Sequence, residues 1–304
     1  MIQTFNSNSL LLGTNNNKVL YAPGEAHLMT IGHTGSGKGV NALIPNLLNY
    51  AGSIICIDIK GEAAQLTADY RRSIGQDVYV IDPFDITGTG SQQGLDPLQI
   101  LNHGHDGKSY NGSELPIAQS TLLAEAIIGR KASKDPFWDL SAEQLVSALI
   151  LFIAFECPPP LRNINELCFL MNELRSNPNE LFARFQTSGK AGIRNLESSF
   201  KMESRVFSSV VATAQSRIAP LACREAARAL NNYQSFDLSA LTDNRPVSLY
   251  LVMPPDMLNY QAPVLRLWIA TIFRAIFQRK ARPELPTIFF LDEIAQLGPI
   301  DSLR

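Results

Sequence analysis

Apolar and polar positions along the chain follow two regimes. Five short apolar runs, at residues 27–31, 53–58, 77–82, 247–252 and 287–291, are each bounded by turn signals, a pattern that predicts buried strands. Helical patterns lie between them, the first beginning at Val40. Strands and helices in alternation predict an α/β fold on a doubly wound parallel sheet.

Between the third and fourth runs the strand signal vanishes. Residues 87–110 form a link rich in Gly, Ser, Gln and Asn, and residues 115–231 keep a helical pattern throughout. Pro116 opens one helix, Ser141 another, and the run Arg162, Asn163, Ile164, Asn165, Glu166 a third. So long a connection predicts an all-α domain inserted into the sheet domain. The expected division is 1–104 and 233–304 for the two parts of the sheet domain, with 105–232 as the insert.

The strongest chemical signal is the run Gly32, His33, Thr34, Gly35, Ser36, Gly37, Lys38, Gly39, Val40. It matches the phosphate-binding pattern G-x-x-x-x-G-K-[ST] except that Gly39 replaces the hydroxyl residue. Glycines at 32, 35 and 37 permit positive φ, so successive N–H groups can face phosphate oxygens, and Lys38 adds a charge at the β/γ-phosphates. The apolar run before it and the helical pattern after it supply the strand–loop–helix context that this loop requires. Near the other end, the run Thr287, Ile288, Phe289, Phe290, Leu291 leads into Asp292 and Glu293, a Walker B pattern over 288–293. An aspartate there can hold Mg²⁺, and a glutamate beside it can orient or deprotonate an attacking water. In one parallel sheet both motifs belong at the carboxyl edge of the strands.

Composition narrows the rest. With 26 Lys and Arg against 28 Asp and Glu the net charge is −2, so a polyanion partner needs a local patch. One candidate is the stretch 184–228, where Arg184, Lys190, Arg194, Lys201, Arg205, Arg217, Arg224 and Arg228 outnumber the acids. It reads either as a solvated helix face or as a surface touching a nucleic-acid backbone. The 4 cysteines, Cys56, Cys157, Cys168 and Cys223, lack disulfide or metal-ligand spacing, which predicts reduced thiols in a cytoplasm. The apolar run 145–155 is about half a bilayer span and predicts a buried helix, and no signal peptide is evident. His103, His105 and Asp106 sit in a polar stretch and read as a loop rather than a metal site.

The run GHTGSGKGVNALIPNLL, with SIICIDIKGEAAQLTADYRR, VYVIDPF and FFLDEIAQLG after it, resembles the TraG/Vir-type coupling proteins of type IV secretion and conjugation. They belong to a wider group of hexameric DNA-translocating ATPases that includes FtsK-like motors. The resemblance implies a P-loop NTPase-type fold that binds and hydrolyses ATP with Mg²⁺. Gly32, Thr34, Gly35, Ser36, Gly37, Lys38, Gly39 and Val40 would bind the nucleotide, Lys38 and Glu293 would act in catalysis, and Asp292 would hold the metal. Implied partners are further copies in a hexameric ring, secretion-channel components, and a relaxase with single-stranded DNA or a protein effector as substrate. The implied place is the cytoplasmic face of the bacterial inner membrane, reached through further segments or partners, the chain itself being soluble. The Gly-Lys-Gly-Val form of the loop is the one this family carries. The family usually begins with transmembrane helices and continues past Walker B with strands bearing a polar sensor, so a partial or split chain is expected. Asp58, Lys60 and Glu62 border the nucleotide, form a subunit contact, or make a charged strand-to-helix turn. Two other functions stay open: a nucleotide-bound adaptor without turnover, and a cytoplasmic DNA translocase.

Overall fold

A computed structural model of the chain describes residues 8–16, 18–22, 27–33, 35–102, 115–129, 136–188, 193–194, 203–231, 235–243, 245–293 and 297–298. Two compact units emerge. The first comprises Met1–Gln93, Ser239–Asp256 and Gln278–Glu293, and the second Gly94–Leu238, Met257–Phe277 and Ile294–Arg304.

The first unit holds the sheet. Its elements are β1 (Leu11–Asn15), β2 (Lys18–Tyr21), α1 (Ile44–Asn49), β3 (Ile54–Asp58), α2 (Glu62–Ser73), β4 (Asp77–Ile81), β5 (Val247–Val252) and β6 (Ile288–Leu291). Four strands run parallel in the order β4-β5-β3-β6. The two central strands, IICID and VSLYLV, are buried along their whole length, whereas β4 and β6 are partly exposed. That is why the central pair reads as unbroken apolar sequence. Helix α2 lays Ala63, Ala64, Thr67 and Ala68 inward, side chains small enough to bring its backbone close to the sheet. The core joins these to Leu47, Tyr50, Ile54, Cys56, Val80, Tyr250 and Val252.

Residues 27–31 are a correction. They form no strand, and Met29 and Ile31 are 84% and 87% exposed. The described sheet runs β4-β5-β3-β6 and the segment pairs with none of its strands, so apolar content alone does not make it one. An unforeseen hairpin, β1–β2, stands ahead of it. Asn46 pins that hairpin as a strand neighbour would: its Oδ1 accepts from Leu11 N at 2.6 Å and its Nδ2 donates to Leu11 O at 2.9 Å. Asn49 donates to Ser9 O at 3.2 Å, one helical turn on.

The described part of the second unit is built from helices α3 (Leu115–Ile128), α4 (Phe137–Glu156), α5 (Ile164–Ser176), α6 (Pro178–Gln186), α7 (Ser204–Ile218), α8 (Arg224–Leu230) and α9 (Leu258–Phe277). Helix α4 starts at Phe137, not at Ser141, because Pro136 sets its first turn. It is 20 residues long, well beyond the apolar run 145–155, and so long and apolar enough to cross a bilayer by length and composition. In this fold it packs against α3, α5 and α7, and most of it is buried. Asn163 caps α5, its side chain accepting from Asn165 N and Glu166 N. His103, His105 and Asp106 lie outside the described residues.

Arg266 on α9 closes the end of α3. Its guanidinium donates to Ala126 O at 2.8 Å, Ile127 O at 3.2 Å and Leu297 O at 2.9 Å. Burial, with a smaller push from Arg217, pulls its pKa down to about 10. Gly129 ends the helix at φ +59, and a Cβ there would land on that guanidinium. Gly129→Ala therefore carries both a left-handed penalty and a displaced arginine, and should cost roughly 1–3 kcal/mol. A urea unfolding midpoint equal to the parent's would contradict this account.

Candidate functional site

The loop's shape follows from its glycines. Gly35 and Gly37 adopt φ of +79 and +81, conformations that disfavour a side chain. A Cβ on Gly32 would sit 2.5 Å from Ser36 Oγ, and one on Gly37 2.5 Å from Asn41 Nδ2, so a larger residue at either place would have to turn that side chain aside. Ser36 N donates to His33 O at 3.2 Å, closing the turn. Lys38 is drawn back over its own loop, donating to Gly32 O at 2.7 Å and His33 O at 3.2 Å. Gly39 opens a wide π-helical turn through Leu43, in which Ile44 N reaches back to Gly39 O. Pro45 follows at the head of α1. It has no N–H to give to Asn41 O, so the boundary falls where the sequence places a break. Val40 is exposed on this turn. Thr34 lies outside the described residues.

Three aspartates end strands at the opposite, carboxyl side of the sheet from the strand entrances. Asp58 is buried, and its Oδ2 accepts from Ala64 N at 2.8 Å, capping the start of α2 behind Gly61 at φ +73. Burial raises its pKa, opposed by the backbone N–H groups of Ala64, Lys60, Gly61 and Ala63. Of its open readings, the strand-to-helix turn accounts for its hydrogen bond. Asp82 is buried too, accepting from Ile86 N, Thr87 N and Thr87 Oγ1 at 3.1, 2.8 and 2.8 Å. Asp292 differs from both. It is exposed on the strand end beside Asp58, since β3 and β6 are in register at Ile57 and Leu291. Its Oδ1 accepts from Glu293 N at 3.1 Å, and Glu293, also exposed, turns the chain at φ +51.

That leaves Asp292 as the strand-end carboxylate open to solvent. Among the described residues no group of three or more His, Cys, Asp or Glu side chains could hold a metal alone. The donor set fits a Mg²⁺ that brings most of its ligands as water and phosphate, as this reluctantly dehydrated ion does. The Lys38 ammonium donates to its own loop, and Asp292 accepts from Glu293. No direct bond joins Lys38 to Asp292. In the middle of β3, the Cys56 thiol is pushed well up by burial and, less, by the charges of Asp58 and Asp292.

In the basic stretch, internal contacts take up several charges. Arg184 pairs with Glu173 at 3.1 Å and lies 5.1 Å over the Phe152 ring. Arg217 pairs with Asp139 at 2.8 Å, and Arg194 donates to Ser188 O at 2.6 Å. Lys190 and Lys201 lie outside the described residues.

The chain is similar to conjugal transfer protein TraG of Rhizobium radiobacter, 24% identical over 291 residues, a match covering 92% of this chain and 43% of the relative. It is 23% identical over 293 residues to protein VirD4 of Rhizobium rhizogenes, covering 92% and 40%. It thus spans less than half the length of these relatives. Among solved structures, the plasmid coupling protein TrwB, in complex with a non-hydrolysable ATP analogue, superposes with a TM-score of 0.63 at 17% identity, over 89% of this chain and 57% of that one. That likeness shows the fold: a P-loop NTPase-type α/β fold with a helical insertion. A sequence model of the type IV secretory system conjugative DNA transfer family matches residues 3–304, and with the loop, the strand-end acids and the fold agreeing, the chain belongs to that family as a TraG/VirD4-type coupling protein.

Proposed function

We propose that this chain carries the ATP-binding and hydrolysing centre of a coupling protein that recruits DNA with its relaxase, or a protein effector, and moves it to a type IV secretion channel. The observation that carries the reading is the loop itself: two glycines held in the left-handed region immediately before Lys38 and a helical turn, in a member of this family. The amides of residues 35–40 bind phosphate oxygens, helped by the positive end of the helix. Lys38 leaves the carbonyls of Gly32 and His33 for the β/γ-phosphates. Asp292 holds Mg²⁺, largely through water, and Glu293 orients and deprotonates the attacking water. Mg²⁺, when bound, neutralises charge on the transferring phosphate. The helical unit, with 105–232 at its heart, contributes to substrate recognition. The working form is a ring of six copies at the cytoplasmic face of the bacterial inner membrane, anchored there by further segments or partners.

Lys38→Ala removes a charged contact and should weaken ATP binding about 10- to 100-fold, measured by titration with a fluorescent analogue. Glu293→Gln should leave binding intact while turnover falls by about 10²- to 10⁴-fold. Tight ATP binding with no turnover in the parent at any protein concentration would instead favour an adaptor without hydrolysis.

Gly39 offers the metal no hydroxyl, so nucleotide affinity here should depend only weakly on Mg²⁺. Gly39→Thr is expected to strengthen that dependence; equal ATP titrations of parent and variant, with and without Mg²⁺, would overturn this view of the loop.

A further inference from the structure

At the amino side of the sheet, away from the loop and the Walker B acids, lies a buried polar cluster with no part in the chemistry described so far. Arg71, on the inner face of α2, is 0% exposed. Its Nε donates to Ser248 Oγ at 2.8 Å and its Nη1 to Leu47 O at 2.9 Å and to Tyr50 O. Its Nη2 donates to Gly52 O at 2.6 Å and Gln76 Oε1 at 2.7 Å. All five guanidinium N–H groups are thereby engaged. Ser248 Oγ also donates to Gln76 Oε1 at 2.5 Å. Tyr50 extends the cluster, its hydroxyl donating to Pro286 O at 2.6 Å. Gly52 makes room for this, because a Cβ there would sit 2.6 Å from the Tyr50 ring.

These acceptors lie at the entrances of all four strands: Gly52 before β3, Gln76 before β4, Ser248 second in β5, and Pro286 before β6. Tyr50 is also the residue on which α1 ends. Two struts therefore share one foot. The helical segment from Lys38 to Tyr50 is roughly 18 Å long at the helical rise. The extended segment from Pro286 to Asp292 is about 20 Å at the strand rise. One ends at the phosphate loop and the other at the Walker B acids.

We propose that Tyr50 and Arg71 are positioning residues that lock the helix behind the phosphate loop to the Walker B strand, fixing where Lys38 and Glu293 stand for catalysis. The inference rests on the reading of these motifs as an ATP-hydrolysing centre. A displacement of about 1 Å at such a centre can lower a rate about 10²-fold, and the Tyr50 hydroxyl is the described bond that joins the two feet.

The test compares two single-hydroxyl deletions in one core. Tyr50→Phe breaks the link to Pro286; Tyr250→Phe breaks a bond of the same length, Tyr250 to Thr67 at 2.6 Å, that is more deeply buried and joins neither strut. Both variants should lower the urea midpoint, Tyr250→Phe at least as much. Only Tyr50→Phe should speed amide hydrogen exchange in residues 44–50 and 286–291 together, by about tenfold, and lower kcat by about tenfold with KM for ATP unchanged. Parent-like exchange at 286–291 in Tyr50→Phe, or an equal kcat loss in Tyr250→Phe, overturns the proposal. If the parent itself turns over no ATP, the function reading fails, and the exchange pattern alone decides whether the lock exists.

Discussion

A guanidinium inside a protein core costs several kcal/mol of lost hydration unless every donor finds an acceptor. Arg71 meets that condition without a carboxylate partner among the described residues, and the constraint shapes what surrounds it. Three of its acceptors are backbone carbonyls at Leu47, Tyr50 and Gly52, the stretch where α1 ends and β3 has yet to begin. Carbonyls at a helix end have no partner within the helix. The cation thus answers two deficits at once, its own and that of the helix terminus. A lysine, with three donors on a point charge, could not match this planar fan.

Much of this was legible in the sequence, for a definite reason. β3 and β5 are buried on both faces, so their residues carry burial in their own composition. The loop carries its backbone geometry in its glycines, and Pro45 announces the change of helix type because it lacks a donor. Residues 27–31 are as apolar as those strands but form none; strandedness depends on a neighbour, which no local pattern encodes. The hairpin went unforeseen for the converse reason. Its strands are only 5 and 4 residues long, and what holds them is Asn46, 35 positions away from Leu11. Arg71 did leave a trace, standing in helical register with Ala63, Ala64, Thr67 and Ala68, but its partners range up to Ser248.

The strand-end aspartates show how one residue type takes different roles from position alone. Asp58 and Asp82 are turned inward onto backbone amides and serve the fold. Asp292 ends a partly exposed edge strand and faces solvent, where a carboxylate can exchange water for a metal. In the sequence all three follow an apolar run and Asp292 is set apart by the glutamate after it; exposure and hydrogen bonding separate them further.

Helix α4 has a consequence for how the molecule is made. Its 20 residues carry the hydropathy of a bilayer span, and α5 and α7, which cover it in the finished fold, lie later in the chain. During synthesis from the amino terminus, that greasy helix leaves the ribosome with α3 beside it but before α5 and α7 exist. For the time needed to translate some sixty further residues, at about 5–20 residues per second, it resembles a membrane insertion signal. The nascent chain is therefore most exposed to mistargeting and aggregation before α7 emerges, and shielding by a chaperone would matter most in that interval of a few seconds.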